Sequence, residues 1–184
     1  MMQVDSERQE HYTSGFTVDR TPAQAYEAVL DVRGWWSQAV EGVTDRVGGV
    51  FDYHFQDIHR CRIRVTELTP GEKVVWHVEE NYFDFTEDQA EWTGTDIVFD
   101  LRPADGGTEV RFTHVGLVPQ HECYDVCSNA WGGYITGSLR SLIATGQGHP
   151  NPKDDGPAPD HQDAATTARA EHSPTADSAS VERA

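Results

Sequence analysis

Between Val40 and Val115 the apolar residues fall on every second position, and this alternation restricts the fold more than any other feature. In Val50–Gln56, Phe51, Tyr53 and Phe55 oppose Asp52, His54 and Gln56; in His59–Leu68, Cys61, Ile63 and Val65 oppose Arg60, Arg62 and Arg64. Lys73–Glu80 sets Val74, Trp76 and Val78 on one side. Thr95–Arg102 does the same with Ile97, Phe99 and Leu101, and Thr108–Val115 with Val110, Phe112 and His114. Turn chemistry at Gly48-Gly49, Thr69-Pro70-Gly71-Glu72 and Ala104-Asp105-Gly106-Gly107 separates these runs. A weak strand is expected at Val40–Asp45, and His11–Asp19 alternates in the same way near the start. Strands that are apolar on one side only form an antiparallel sheet with one wet face and one dry face.

The dry face needs a cover, and two stretches carry the period of a helix. Thr21-Pro22-Ala23-Gln24 is a helix start, with Thr21 placed to cap, Pro22 suited to the first helical position and Gln24 completing a capping box. Gly34-Trp35-Trp36 falls on a second short helical piece. The longer stretch is Pro119–Gly146, where Tyr124, Cys127, Trp131, Tyr134, Ile135, Leu139, Leu142 and Ile143 recur at three- and four-residue steps. About 22 residues at 1.5 Å rise reach roughly 33 Å, enough to cross a sheet. Gly132, Gly133 and Gly137 each cost about 1 kcal/mol relative to alanine inside a helix. They predict either a close approach to the backbone or a bend. The order of strand, two short helices, six strands and a long helix is α+β, with about seven strands curved around the last helix. That helix is expected to roof a cavity.

The chain of 184 residues carries a net charge of −17, and only three basic and seven acidic side chains lie in residues 147–184. The body is therefore strongly acidic, which opposes phosphate backbones and anionic membrane surfaces and excludes nucleic acid as the expected partner. No apolar leader segment and no run of about 18 apolar residues is present, so neither export nor membrane insertion is expected and the chain reads as cytoplasmic. Cys61, Cys123 and Cys127 are an odd number in a domain that needs no staples, which fits reduced thiols. Residues 1–9 read as a flexible N-terminus and 10–146 as the domain. Residues 147–184 lack aromatic, Leu and Ile side chains and read as a disordered acidic tail.

The RGWW run at 33–36, the strand FTHVGL at 112–117 and the last helix centred on Trp131, set in this order of elements, resemble the SRPBCC (START-like) superfamily. Within it the chain is similar to the branch named for homology to the activator of the heat-shock-protein-90 ATPase, the AHSA type. The resemblance implies a helix-grip fold with a deep cavity between sheet and last helix. It also implies binding of lipids, sterols, hormones or polyketides, or cyclase, aromatase and dehydration chemistry in that cavity. A chaperone partner is not implied by the family name alone.

The residues expected to line the cavity are Trp35, Trp36, Tyr53, Cys61, Trp76, Phe99, His114, Trp131 and Tyr134, aromatic surface with a few polar tips. Among them His114 is the candidate general acid or base, and with Tyr53 the candidate for orienting a ligand oxygen. The expected function is binding of a small, mainly apolar molecule. The alternatives are a cyclase or dehydratase that uses the same cavity, and an interaction module that uses the acidic surface and the aromatic loop Asn81–Gly94. Cofactor loops are absent: there is no Walker loop, no G-x-S-x-G and no G-x-G-x-x-G. His114, His121, Cys123 and Cys127 have the residue types of a zinc site but a spacing that matches no common closed module, so no metal is expected. Glu67 and Glu80 are the only strand carboxylates whose parity points them to the dry face.

Overall fold

A computed structural model of the chain describes residues 11–153. Strand β1 (Tyr12–Val18) leads into helices α1 (Pro22–Leu30) and α2 (Val32–Trp35). Six more strands follow: β2 (Glu41–Gly42), β3 (Val50–Phe55), β4 (His59–Thr69), β5 (Lys73–Phe83), β6 (Asp96–Ala104) and β7 (Gly107–Val115). They form one antiparallel sheet in the order β1-β7-β6-β5-β4-β3-β2. The last helix runs in three parts: α3 (Tyr124–Gly132), a π-helical segment (Gly133–Leu139) and α4 (Arg140–Thr145). This is the helix-grip arrangement, a curved sheet wrapped around a long C-terminal helix.

The alternation decides which side of the sheet is dry. Phe51, Ile63, Val65, Val74, Trp76, Val78, Ile97, Phe99, Val110 and Phe112 are buried on the helix side. The opposite face carries cross-strand pairs such as Arg62–Asp52 at 2.9 Å and His77–Asp96 at 2.7 Å. Such exposed pairs contribute little, about 0–1 kcal/mol each, and mark solvent. The core between sheet and helices therefore supplies the stability.

Two irregularities reset the alternation. On β4 the register slips between Val65 and Glu67, so Glu67 pairs with Val75 on the wet face and Leu68 with Val74 on the dry one. On β5, Ile63 pairs with Val78 but Arg62 with Glu80, so Glu79 is the extra residue and Asn81 and Phe83 turn inward. Both carboxylates with inward parity are thus put outside, because a β-bulge changes which face follows it. The second bulge also carries β5 on to Phe83, beyond the Glu80 end that strict alternation gives.

Gly132 and Gly137 do not serve to admit a close neighbour. A Cβ on Gly137 would meet nothing within 4 Å, and one on Gly132 only the Tyr12 hydroxyl at 3.6 Å. The helix instead widens into the π-helical segment, which shifts the phase between Trp131 and the later core residues Ile135, Leu139 and Ile143. After Gly146, residues 147–153 do not follow the disordered-tail expectation. Asn151 forms a parallel bridge with Ser37. Hydrogen bonding secures this stretch without any large apolar residue, which is why composition does not reveal it. Residues 1–10 and 154–184 lie outside the described residues, and so does the rest of the tail expectation.

The helix start behaves as the sequence dictates: Thr21 accepts from Gln24 N at 3.2 Å, and Gln24 accepts from Thr21 N at 3.0 Å. Thr21→Ala is expected to lower the unfolding free energy by about 1 kcal/mol, measured by urea denaturation with an unchanged slope. An unchanged midpoint would show that this cap contributes nothing.

Candidate functional site

Five tryptophans converge where the short helices meet the sheet. Helix α2 is a single turn, and it delivers Trp35 and then Trp36 into the interior, with the Trp35 indole donating to Val29 O at 3.2 Å. Trp36 stacks on Tyr53 with ring centroids 4.1 Å apart, and lies 5.0 Å from Trp131 and 6.1 Å from Trp76. Trp35 runs nearly parallel to Trp76, and Phe99 meets Trp76 edge-on at 4.9 Å. Trp131 stacks on Trp92 at 5.6 Å and touches Phe112 at 4.7 Å. The expected lining is thus assembled, with Tyr134 half-buried and the other eight residues buried. At the centre of this lining, however, the rings touch one another. Trp36 sits between Trp76 and Trp131 and fills the gap in which a cavity was expected. Such pairs contribute about 0.5–1.5 kcal/mol each beyond their burial, so closure is favourable without a guest.

His114 is built into this block and fully engaged. The Trp131 indole N–H donates to its Nδ1 at 3.1 Å, and its Nε2 lies 2.8 Å from Thr95 Oγ1. Thr95 Oγ1 donates its own proton to Trp92 O at 2.5 Å, so it accepts from His114, and the imidazole is the neutral Nε2–H tautomer. Burial, reinforced by His121, His59 and His11, pushes its pKa down to about 3. No ring nitrogen is left for a substrate. The candidate acid or base serves instead to fasten the last helix to β7 and to the turn after Trp92.

A second buried histidine lies on the same face. His59 shares the inward parity of Cys61, which is the signal that identifies it, and its ring packs 4.4 Å from Phe83 and 4.6 Å from Trp92. Its Nε2 bonds Asn81 Oδ1 at 2.8 Å, and burial pushes its pKa down to about 4. Beside it Tyr53 stays protonated: burial, and then the neighbouring Tyr134 hydroxyl, raise its pKa well above the usual value. The Asn151 carboxamide donates to the Tyr134 hydroxyl at 2.8 Å and to that of Tyr53 at 3.4 Å. Among the described residues, the buried indole N–H groups of Trp76 and Trp92 have no acceptor. An unpaired buried donor is costly and calls for an explanation.

Other candidates fall away from this block. The loop after β5 folds onto the domain: Phe83 and Trp92 are buried, Tyr82 lies under the Arg60 guanidinium at 4.5 Å, and Phe85 alone of the four aromatics is exposed. Glu91 ties the loop to the last helix by accepting from Glu122 N and Cys123 N at 2.7 and 3.0 Å. Cys123 and Cys127 are buried free thiols; the hydrogen bond between them, then burial, raises the Cys123 pKa. Among the described residues no three His, Cys, Asp or Glu side chains converge to hold a metal ion. A groove of about 420 Å³ opens over β3–β5, lined by Asp52, Arg60, Arg62 and Glu80 together with two of the expected lining residues, Tyr53 and Cys61. Its charged rim differs from the apolar enclosure that the alternation predicts.

The family model described as activator of Hsp90 ATPase homolog 1-like protein matches residues 19–144. Among solved structures the chain is similar to the Aha1 dimer from Colwellia psychrerythraea, at 24% identity and TM-score 0.61, covering 75% of this chain and 98% of that one. It is similar to CalU16 from Micromonospora echinospora at 11% identity and TM-score 0.53, covering 72% and 74% of the two chains. It is also similar to DynU16, a protein in the dynemicin biosynthetic locus, at 15% identity and TM-score 0.55, covering 76% of this chain and 49% of that one. At these identities the likeness establishes the fold. A comparison with curated proteins finds no match.

The two buried histidines give the domain a defined acid response. Unfolded, each takes up a proton near pH 6.5; folded, they do so only near 4 and 3. Between those values the unfolded chain holds more protons, so stability is full above pH 6.5 and falls as the pH drops, by up to about 1.4 kcal/mol per pH unit for each histidine. Denaturation curves between pH 6.5 and 5 should show this decline, and His114→Gln should roughly halve it. An equal decline in both proteins would contradict the assignment.

Proposed function

The chain belongs to the activator of Hsp90 ATPase homolog 1-like family, and from that premise we propose that it binds a small, mainly apolar molecule between the antiparallel sheet and the C-terminal helix. The observation that carries this reading is the pair of orphan indole donors, Trp76 Nε1 and Trp92 Nε1, buried in an otherwise apolar aromatic block. A guest with an acceptor atom would satisfy one of them while its body stacks among Trp36, Tyr53 and Trp131. The Tyr53 and Tyr134 hydroxyls supply the polar end that orients it, in place of His114. DynU16, similar in fold, is a protein in the dynemicin biosynthetic locus, which agrees with this reading.

The guest enters by displacing rings. Trp36 is the ring best placed to move, because it caps the single-turn helix α2, whereas Trp131 is held by its bond to His114. Cyclase or dehydratase chemistry through His114 has no free nitrogen to work with. An interaction module built on the aromatic loop would have Phe85 as its exposed ring. Small-molecule binding is the better-supported reading. No helix among the described residues is long and apolar enough to cross a membrane, and three free thiols suit a reducing compartment, so we place the binding in the cytoplasm.

Native mass spectrometry after gentle purification is expected to show a bound compound. A titration with neutral apolar fluorophores is expected to be saturable and to weaken severalfold in Tyr53→Phe, which removes one orienting hydroxyl. A protein that carries no compound and saturates with none of the fluorophores would overturn the proposal.

A further inference from the structure

Gly146, with φ at 82°, ends the last helix, and the chain turns back across the polar end of the aromatic block. Ser141 Oγ donates to Gln147 O at 2.7 Å, and His149 N donates to Ser138 Oγ at 2.7 Å. Asn151 N donates to Trp36 O and Gln38 N to Asn151 O, both at 2.9 Å. The Asn151 carboxamide then reaches the hydroxyls of Tyr134 and Tyr53. Gly148 lies so close to Gly34 that a Cβ on it would run into the Gly34 carbonyl oxygen.

The chemistry of this segment is unlike that of everything beneath it. Gln147 to Lys153 contains no large apolar side chain, so hydrogen bonds hold it, each with a net value of about 1 kcal/mol. A segment held this way can lift without carrying a large apolar side chain of its own into water. It is bonded to Trp36 and Tyr53, whose rings stack on one another beside the two hydroxyls. The groups that meet there, Tyr53, Tyr134, Asn151 and the Trp36 ring, are all neutral.

We propose that residues 147–153 form a displaceable strap whose Asn151 side chain occupies the polar end of the ligand site, and that the guest carries a neutral hydrogen-bonding head group that replaces Asn151 on the Tyr53 and Tyr134 hydroxyls. This rests on the ligand reading above and adds to it a built-in competitor and a head-group class. A charged head group is disfavoured, since the group it replaces on the two hydroxyls is a neutral carboxamide and burial of an unpaired charge is costly. The strap sets apparent affinity, because only the fraction of molecules with the strap lifted can accept the guest.

The test uses the full chain with Gly148→Val, which cannot seat against Gly34, and Asn151→Ala, which removes the carboxamide. Amide exchange at Gln38 and Asn151 reports the strap, and a Nile red titration reports the site. Gly148→Val is expected to speed exchange at both amides and to tighten Nile red binding at least tenfold; Asn151→Ala is expected to tighten it severalfold. Faster exchange with an unchanged Nile red affinity would overturn the strap as a gate and leave the ligand reading standing. Exchange unchanged in both variants would overturn the docked strap itself. A lifted strap with no saturable Nile red binding in any form would overturn both proposals.

Discussion

The architecture depends on one buried hydrogen bond, the Trp131 indole N–H on His114 Nδ1. It joins the last helix to β7 at the centre of the molecule, where water cannot compete. Because Nδ1 accepts, the proton must sit on Nε2, and Nε2 then has to donate to Thr95. Thr95 in turn donates to Trp92 O, so the turn that carries Trp92 over the sheet is fixed by the same chain of bonds. The aromatic rings pack around this latch. Trp92 stacks on Trp131, Phe112 supports it from β7, and Trp36 fills the remaining gap toward Trp76. A histidine used in this way must remain neutral, and its burial enforces that.

The two halves of the last helix have different attachments. The first half carries Cys127 and Trp131 onto the sheet, and its start is held by Glu91 from the loop after β5. The second half buries Ile135, Leu139 and Ile143, and Ser138 ties it to the Trp35 carbonyl at 2.6 Å. The π-helical segment with its glycines lies between them. A change in ring packing around Trp131 can therefore be absorbed without disturbing the second half. The strap at 147–153 closes over the second half and over Trp36.

Much of this was legible in the residues, and the reasons for the rest are specific. Alternation gave every long strand and the correct inward side, since burial on one face is what period two records. It failed after Val65 and after Val78, where bulges change the parity. That is why Glu67 and Glu80 looked inward, and why Phe83 looked like loop. His59 was readable from its phase with Cys61. The role of His114 was not, because its partners Trp131 and Thr95 are 17 and 19 residues away and no local pattern connects them. The strap was hidden for a similar reason, as its contacts are hydrogen bonds and composition reports only apolar burial. The family resemblance conveyed the fold correctly, while the filled interior depends on Trp36, whose ring reaches Tyr53, Trp76 and Trp131 at once.

The central claim is that a closed aromatic block opens for a guest while its latch holds. Indole N–H resonances of the isotope-labelled protein test this most directly, because the five tryptophans report separately. On saturation with Nile red, the unbonded indoles of Trp76 or Trp92 are predicted to shift downfield as they find an acceptor, with the Trp35 and Trp131 signals still showing their hydrogen bonds. Unmoved Trp76 and Trp92 signals at saturation, or loss of the Trp131 bond, would contradict the account.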